Sequence, residues 1–152
     1  MDLPTIHIHR ITDEEPINEF VEVLMQEQAQ DHTGLLRYLL IQESDFRALP
    51  HYFGKIYVIR SDVLKIGYLW AHPFQKIVRI YFFHLDPSHR SKGFGITGLS
   101  LLEKEYEELK IIQVILHQSK KRTIGFFERC GYNQPDCDEG TGFCRMAKDL
   151  GW

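Results

Sequence analysis

Residues 85–96, Leu85-Asp86-Pro87-Ser88-His89-Arg90-Ser91-Lys92-Gly93-Phe94-Gly95-Ile96, constrain the fold more than any other stretch. They follow Ile77-Val78-Arg79-Ile80-Tyr81-Phe82-Phe83-His84. That run is nearly continuous in β-branched and aromatic residues, which suits a strand buried on both faces. Beyond Gly95 the apolar spacing changes. Ile96, Leu99, Leu102, Tyr106 and Leu109 recur every three or four positions, the stripe of a helix. The element is therefore strand, glycine-rich turn, helix.

Such a turn has a specific electrostatic character. The first N–H groups of a helix lack intrahelical partners and sit at the positive end of its dipole. Glycine lets that backbone bend and approach a ligand closely. The result is an anion site, and Arg90 and Lys92 add formal charge beside it. A phosphate or pyrophosphate is the natural guest. No Walker-type Gly-Lys-Ser/Thr ending is present. Gly93-x-Gly95-x-x-Gly98 matches the dinucleotide fingerprint formally. The turn comes late in the chain, however, and no acidic residue closes a strand at the distance the ribose needs.

The remaining elements follow from periodicity. Thr5-Ile6-His7-Ile8-His9-Arg10-Ile11 alternates as a half-buried strand, with His7 and His9 on one solvated face. Thr12-Asp13-Glu14-Glu15 has the form of a capping box ahead of a helix carrying Ile17, Phe20, Val21 and Leu24. A break at residues 30–34 precedes a second helical stretch from Leu35 toward Leu49. Strands are predicted at 55–60 and 64–71, joined by short turns to the strand at 77–84 as an antiparallel meander. Residues 111–117 form another buried strand. The helix between it and the strand at 77–84 makes the pair parallel. Ser119 is placed to cap the next helix, which opens with Lys120-Lys121-Arg122. Three cations at a helix start oppose the dipole, a conflict that a bound anion would remove; a solvated basic patch is the alternative. Residues 133–142 read as an acidic loop before a last strand at 142–148.

Leu85-x-Pro87 followed by Arg90-x-x-Gly93-x-Gly95 resembles the acetyl-coenzyme A signature of the GNAT N-acetyltransferases. Phe126-Phe127-Glu128-Arg129-Cys130-Gly131-Tyr132 resembles that family's closing motif, commonly Phe-Tyr-Glu-Lys-Leu-Gly-Phe. The separation of the two motifs fits as well. The resemblance implies a single GNAT-like domain over residues 1–152, an α+β (α/β) fold. Its mixed, mostly antiparallel sheet of six to seven strands would carry about four helices, with a parallel βαβ unit splayed at the centre. It also implies transfer of an acetyl group from acetyl-coenzyme A to a primary amine, on a small molecule or a protein, by direct attack in a ternary complex. A non-catalytic coenzyme A-binding module of the same fold is the alternative, and another acyl group such as succinyl is not excluded.

Carried over by motif, the backbone of Phe83, His84 and Leu85 would bond the pantetheine arm. The amides of Ser91, Lys92, Gly93, Phe94, Gly95 and Ile96 would hold the pyrophosphate, flanked by Arg90. Lys120 and Phe127 take the positions of a family asparagine and tyrosine near the coenzyme. Phe127 has no hydroxyl to protonate a leaving thiolate, and the usual carboxylate on the central strand is absent, its same-face positions being Arg79 and Tyr81. His84, His117 and Tyr81 remain as candidates for proton transfer, the two imidazoles because they titrate near neutrality. In similar proteins the link between the first two helices borders the acceptor, which makes Asp31 and His32 candidates for acceptor contacts; a plain surface turn is the alternative.

Composition narrows the partners. A net charge of −3, from 18 basic and 21 acidic side chains, argues against a broad nucleic-acid or membrane-surface footprint. Cys130, Cys137 and Cys144 are odd in number and lack metal-type pairing, so reduced thiols in a cytoplasmic protein are expected. No metal ligand set is evident. Met1-Asp2-Leu3-Pro4 begins no signal peptide, and no apolar run reaches the ~20 residues of a membrane span. A homodimer is an open expectation, since similar proteins commonly dimerise.

Overall fold

The computed structural model describes residues 5–31, 33–35, 49–62, 64–90 and 92–150. Seven strands form one sheet in the order β1-β2-β3-β4-β5-β7-β6. They are β1 (Ile6–Ile11), β2 (Lys55–Ser61), β3 (Leu64–Phe74), β4 (Ile77–Leu85), β5 (Ile111–His117), β6 (Asp136–Cys137) and β7 (Phe143–Asp149). Three α-helices lie among the described residues: α1 (Glu14–Gln30), α2 (Phe94–Glu105) and α3 (Lys121–Arg129). All strand pairs are antiparallel except β4 and β5, which run parallel across the α2 crossover. This is the expected mixed sheet with its βαβ unit. Most of the second helix expected from Leu35 to Leu49 lies outside the described residues, as do His32 and Ser91.

Both faces of the sheet are covered, which is why β2, β3 and β4 read as near-continuous apolar runs. One face packs under α1. Phe20 is fully buried there, edge-on to Tyr68, Trp70 and Phe82 at ring separations of 5.2, 5.8 and 5.6 Å. Rings so arranged contribute about 0.5–1.5 kcal/mol each beyond their burial. The other face holds Ile59, Leu69, Val78, Ile80 and Ile112 under Leu99 and Leu102 of α2 and Phe127 of α3.

Two features control the centre of the sheet. First, β4 and β5 pair only at Ile77–Ile111, Val78–Ile112, Arg79–Gln113 and Ile80–Val114. Past that point β5 stays on β7 and β4 stays on β3, so the two strands separate into a wedge. Second, β3 partners step from Trp70–Phe82 to Ala71–Ile80, leaving Tyr81 as the extra residue of a β-bulge. A bulge bends its strand and shifts the side-chain alternation. Val78 and Ile80 face α2, whereas Tyr81 and Phe82 both join the α1 side and Phe83 returns to the α2 side.

Several local expectations are corrected. The cap of α1 is Asp13, not Thr12, and its side chain makes no cap hydrogen bond. Ser119 does not cap α3; Lys120 occupies that position, and Ser119 turns back on His117. α2 ends at Glu105, so Leu109 lies in the following turn. The acidic loop contains a short strand, β6, and there Cys137 and Cys144 are directly opposed and joined by a disulfide. The expectation of three reduced thiols therefore fails, because strand pairing brings together two cysteines seven positions apart. Cys130 is the free thiol.

Candidate active site

The wedge opens at the C-terminal ends of the parallel pair, where ligands collect in open α/β sheets. β4 leads through a short 3-10 turn, Pro87–His89, into α2, and β5 leads directly into α3. Both helix starts therefore border the opening. Gly93, the residue before α2, has φ 81°, in the left-handed region that favours glycine. The amide of Thr97 bonds back to Gly93 O at 3.2 Å, so the amides of Phe94, Gly95 and Ile96 precede the helical ladder. A Cβ on Gly95 would meet Leu85 Cδ1 at 3.3 Å and the Phe126 ring at 3.4 Å. Glycine there lets α2 and α3 approach each other across the end of β4. The Arg90 guanidinium is held on the same edge, Nε donating to Leu85 O at 2.8 Å.

The wedge is lined on its α2 side by rings. Phe83 is edge-on to Phe126 and Phe127, at 5.7 and 6.4 Å. Phe127 is buried and also packs on Tyr132 at 5.0 Å. Lys120, Lys121 and Arg122 are exposed around the start of α3, with no acidic residue in its first turn.

The three proton-transfer candidates occupy different settings. His84 lies on the part of β4 that has left β5, opposite Tyr68 of β3, and faces α1. Its ring stacks on Phe82 at 5.9 Å, its Nδ1 lies 3.4 Å from Glu27 Oε1, and its Nε2 lies 3.8 Å from Asp86 Oδ1. Burial holds its pKa below the usual imidazole value, with Arg90 acting in the same sense and Glu27 and Asp86 opposing. His117 ends β5. Its Nδ1 accepts the Ser119 backbone N–H at 3.1 Å and lies 2.8 Å from Ser119 Oγ. Gly142 sits so close to its Nε2 that a Cβ would approach to 2.7 Å. Tyr81 projects from the bulge into rings of the α1 side, 5.3 Å from Phe53 and 5.8 Å from Trp70.

Asp31, at the end of α1, accepts the backbone amide and hydroxyl of Thr33, as in an Asx turn. Phe83, His84, Leu85, Arg90, Lys92, Gly93, Phe94, Gly95 and Ile96 thus fall together at the wedge and the α2 start, with Phe127 beneath. Glu27 and Asp86 were not singled out from sequence. Nothing in the order of residues ties position 27 to position 84; only the seating of α1 on the sheet does.

Comparison with known proteins agrees with this architecture. Residues 17–132 match the model of the acetyltransferase (GNAT) family. No curated protein matches the chain significantly. Among solved structures, the ribosomal-protein-S18-alanine N-acetyltransferase of Escherichia coli superposes with a TM-score of 0.70 at 10% identity, over 97% of this chain and 96% of that one. The PaiA N-acetyltransferase of Thermoplasma acidophilum, solved with coenzyme A, gives 0.70 at 15% identity over 95% and 99%. The spermidine N-acetyltransferase of Vibrio cholerae, solved with coenzyme A and spermine, gives 0.67 at 11% over 95% of both chains. At these identities the likeness is one of fold, while the family match spans most of the sequence. The chain belongs to the acetyltransferase (GNAT) family.

Proposed function

We propose that the protein is an N-acetyltransferase that moves an acetyl group from acetyl-coenzyme A to a primary amine, the acceptor being a small molecule or a protein amino group. The observation that carries this reading is the wedge beyond Ile80 and Val114, bordered by the glycine-rich start of α2. The solved relatives that hold coenzyme A support a donor of that type. In this proposal the backbone of Phe83, His84 and Leu85, on the side that has left β5, bonds the pantetheine arm. The amides of residues 91–96 hold the pyrophosphate, with Arg90 and Lys92 beside them. Lys120 faces the nucleotide end, and Phe127 supports the wedge through Phe83. Charge-assisted hydrogen bonds of this kind contribute about 1.5–3 kcal/mol each.

The chemistry asks little of side chains. The amine nitrogen attacks the thioester carbonyl, a tetrahedral intermediate forms, and the C–S bond breaks. The protein supplies positioning, a hydrogen bond for the developing oxyanion and a route for the amine proton. A thiol pKa of about 8.5 lets the thiolate leave without a dedicated acid, in keeping with the buried Phe127 ring. Asp31 is proposed to border the acceptor.

Calorimetric titration with acetyl-coenzyme A tests the reading: binding is expected, and Gly95→Glu abolishes it. No binding by the intact protein rejects it. Phe127 also favours a second reading, a coenzyme A-binding module without transfer, which thiol release with any amine would eliminate. A homodimer is part of the proposal and is tested by light scattering. Cytoplasmic residence loses the support of reduced thiols, given the Cys137–Cys144 bond. Among the described residues no helix is long and apolar enough to cross a membrane.

A further inference from the structure

We propose that His84 Nε2 takes the proton from the acceptor ammonium, that Glu27 is the positioning residue holding its ring, and that Asp86 receives the ammonium. This rests on the N-acetyltransferase reading. Of the three candidate groups, His84 alone lies on the part of β4 that has left β5 and has both ring nitrogens turned toward carboxylates. The Nδ1 of His117 is engaged by the Ser119 backbone amide, and its ring carries no carboxylate on either nitrogen among the described residues. Tyr81 is packed among Phe53 and Trp70.

The two contacts of His84 are unequal, and the inequality assigns the roles. Glu27 Oε1 at 3.4 Å from Nδ1 favours the tautomer with its proton on Nδ1, leaving the lone pair on Nε2. The 3.8 Å between Nε2 and Asp86 Oδ1 is too long for a direct hydrogen bond. An ammonium group at that gap can donate to both atoms. The groups facing the ring come from every element around it: Glu27 from α1, Asp86 and Arg90 from the segment after β4, and Tyr68 directly opposite on β3, its ring covered by Lys65 Nζ at 5.4 Å. Side-chain exposures of 40% for Glu27 and 49% for Asp86, against 12% for His84, open a way to solvent beside a sheltered base.

The step balances. The ammonium gives one proton to Nε2, forming an imidazolium between two carboxylates. The freed amine forms the C–N bond, the C–S electron pair leaves on sulfur, and the second nitrogen proton passes to the thiolate. The products are the amide and the free thiol, and His84 releases its proton to water past Glu27.

The test uses the intact protein with acetyl-coenzyme A, and spermidine and an alanine-initiated peptide as amine probes. His84→Gln is expected to lower kcat by about 10²-fold or more while the Kd for acetyl-coenzyme A stays within about twofold, well short of the tenfold that 1.4 kcal/mol represents. Glu27→Gln is expected to move the acid limb of the pH–rate profile down by about half a unit, and Asp86→Asn to raise the amine KM. Glu15→Gln, the same charge change on the first turn of α1, leaves the limb in place. The shift is also read without turnover, as the midpoint of the His84 ring signal in an NMR titration. A fall in Glu27→Gln but not in Glu15→Gln supports the assignment. An unmoved midpoint, or a kcat in His84→Gln within about threefold of the parent when general-base loss should cost far more, overturns it. Failure of the intact protein to bind acetyl-coenzyme A overturns the N-acetyltransferase reading instead.

Discussion

Gly67 of β3 lies against the backbone of β4 so closely that a Cβ there would overlap the carbonyl oxygen of His84. The same atom would press on Leu85 Cα at 3.1 Å. Backbone cannot yield as a flexible side chain does, so Gly67→Ala must part β3 from β4. It is expected to destabilise the protein by about 2–3 kcal/mol or more, read as a lower midpoint in urea. Gly98→Ala is the contrast. Its Cβ would meet Ile59 Cδ1 at an ordinary 3.5 Å inside α2, so a gain of about 0.5–1 kcal/mol is expected.

Arg90 is fastened to the end of β4 by its bond to Leu85 O. In the proposed complex its charge lies beside the pyrophosphate. Arg90→Ala should raise the Kd for acetyl-coenzyme A by about tenfold or more, the loss of one charge-assisted contact. Calorimetry at two salt concentrations checks it, because the wild-type advantage should shrink as salt rises.

Lys148 Nζ donates to Glu103 Oε1 at 2.8 Å and to Cys130 O at 2.9 Å, and Tyr132 O–H donates to Glu103 Oε2 at 3.0 Å. The network ties α2 to β7 and to the end of α3, and the Glu103 side chain is only 12% exposed. Lys148→Met strands that carboxylate and should cost about 3 kcal/mol. Adding Glu103→Gln should recover more than half of the loss, and a double-mutant cycle in chemical denaturation measures it.

His72 is stacked on Phe53 at 4.2 Å, and its buried Nδ1 has no hydrogen-bond partner among the described residues. Desolvation lowers its pKa, as it does for His84. Below the unfolded value of 6.5 the unfolded chain therefore binds protons that the native protein refuses, and stability falls with pH. His72→Phe keeps the stack and removes the orphan nitrogen. Tm should rise by about 2–4 °C, and its decline between about pH 6.5 and 5 should flatten.

The strands other than β6, the parallel unit and the glycine-rich turn were legible because each rests on local pattern: alternation, a change of apolar spacing, or glycines after a strand. β5 was readable to the residue, Ile111–His117. What escaped depends on partners distant in sequence. The bulge at Tyr81 exists only in the register of β4 against β3. The Cys137–Cys144 bond exists only because β6 pairs with β7. The capping reading at Thr12 failed because the helix starts one residue later, with Asp13 as its cap. His84 and His117 looked equivalent as histidines near strand ends. They part company once α1 brings Glu27 to one and the chain turns Ser119 onto the other.

The surplus residue in β4 reaches further than local geometry. In a strand of unbroken alternation, position 84 would share the layer of Val78 and Ile80, and position 83 would look toward α1. The offset exchanges them: an imidazole meets the helix bearing carboxylates, and a ring that cannot titrate roofs the cleft. A homologue without that hiccup would keep the same ladder of strands yet present inert hydrocarbon where this chain presents an imidazole.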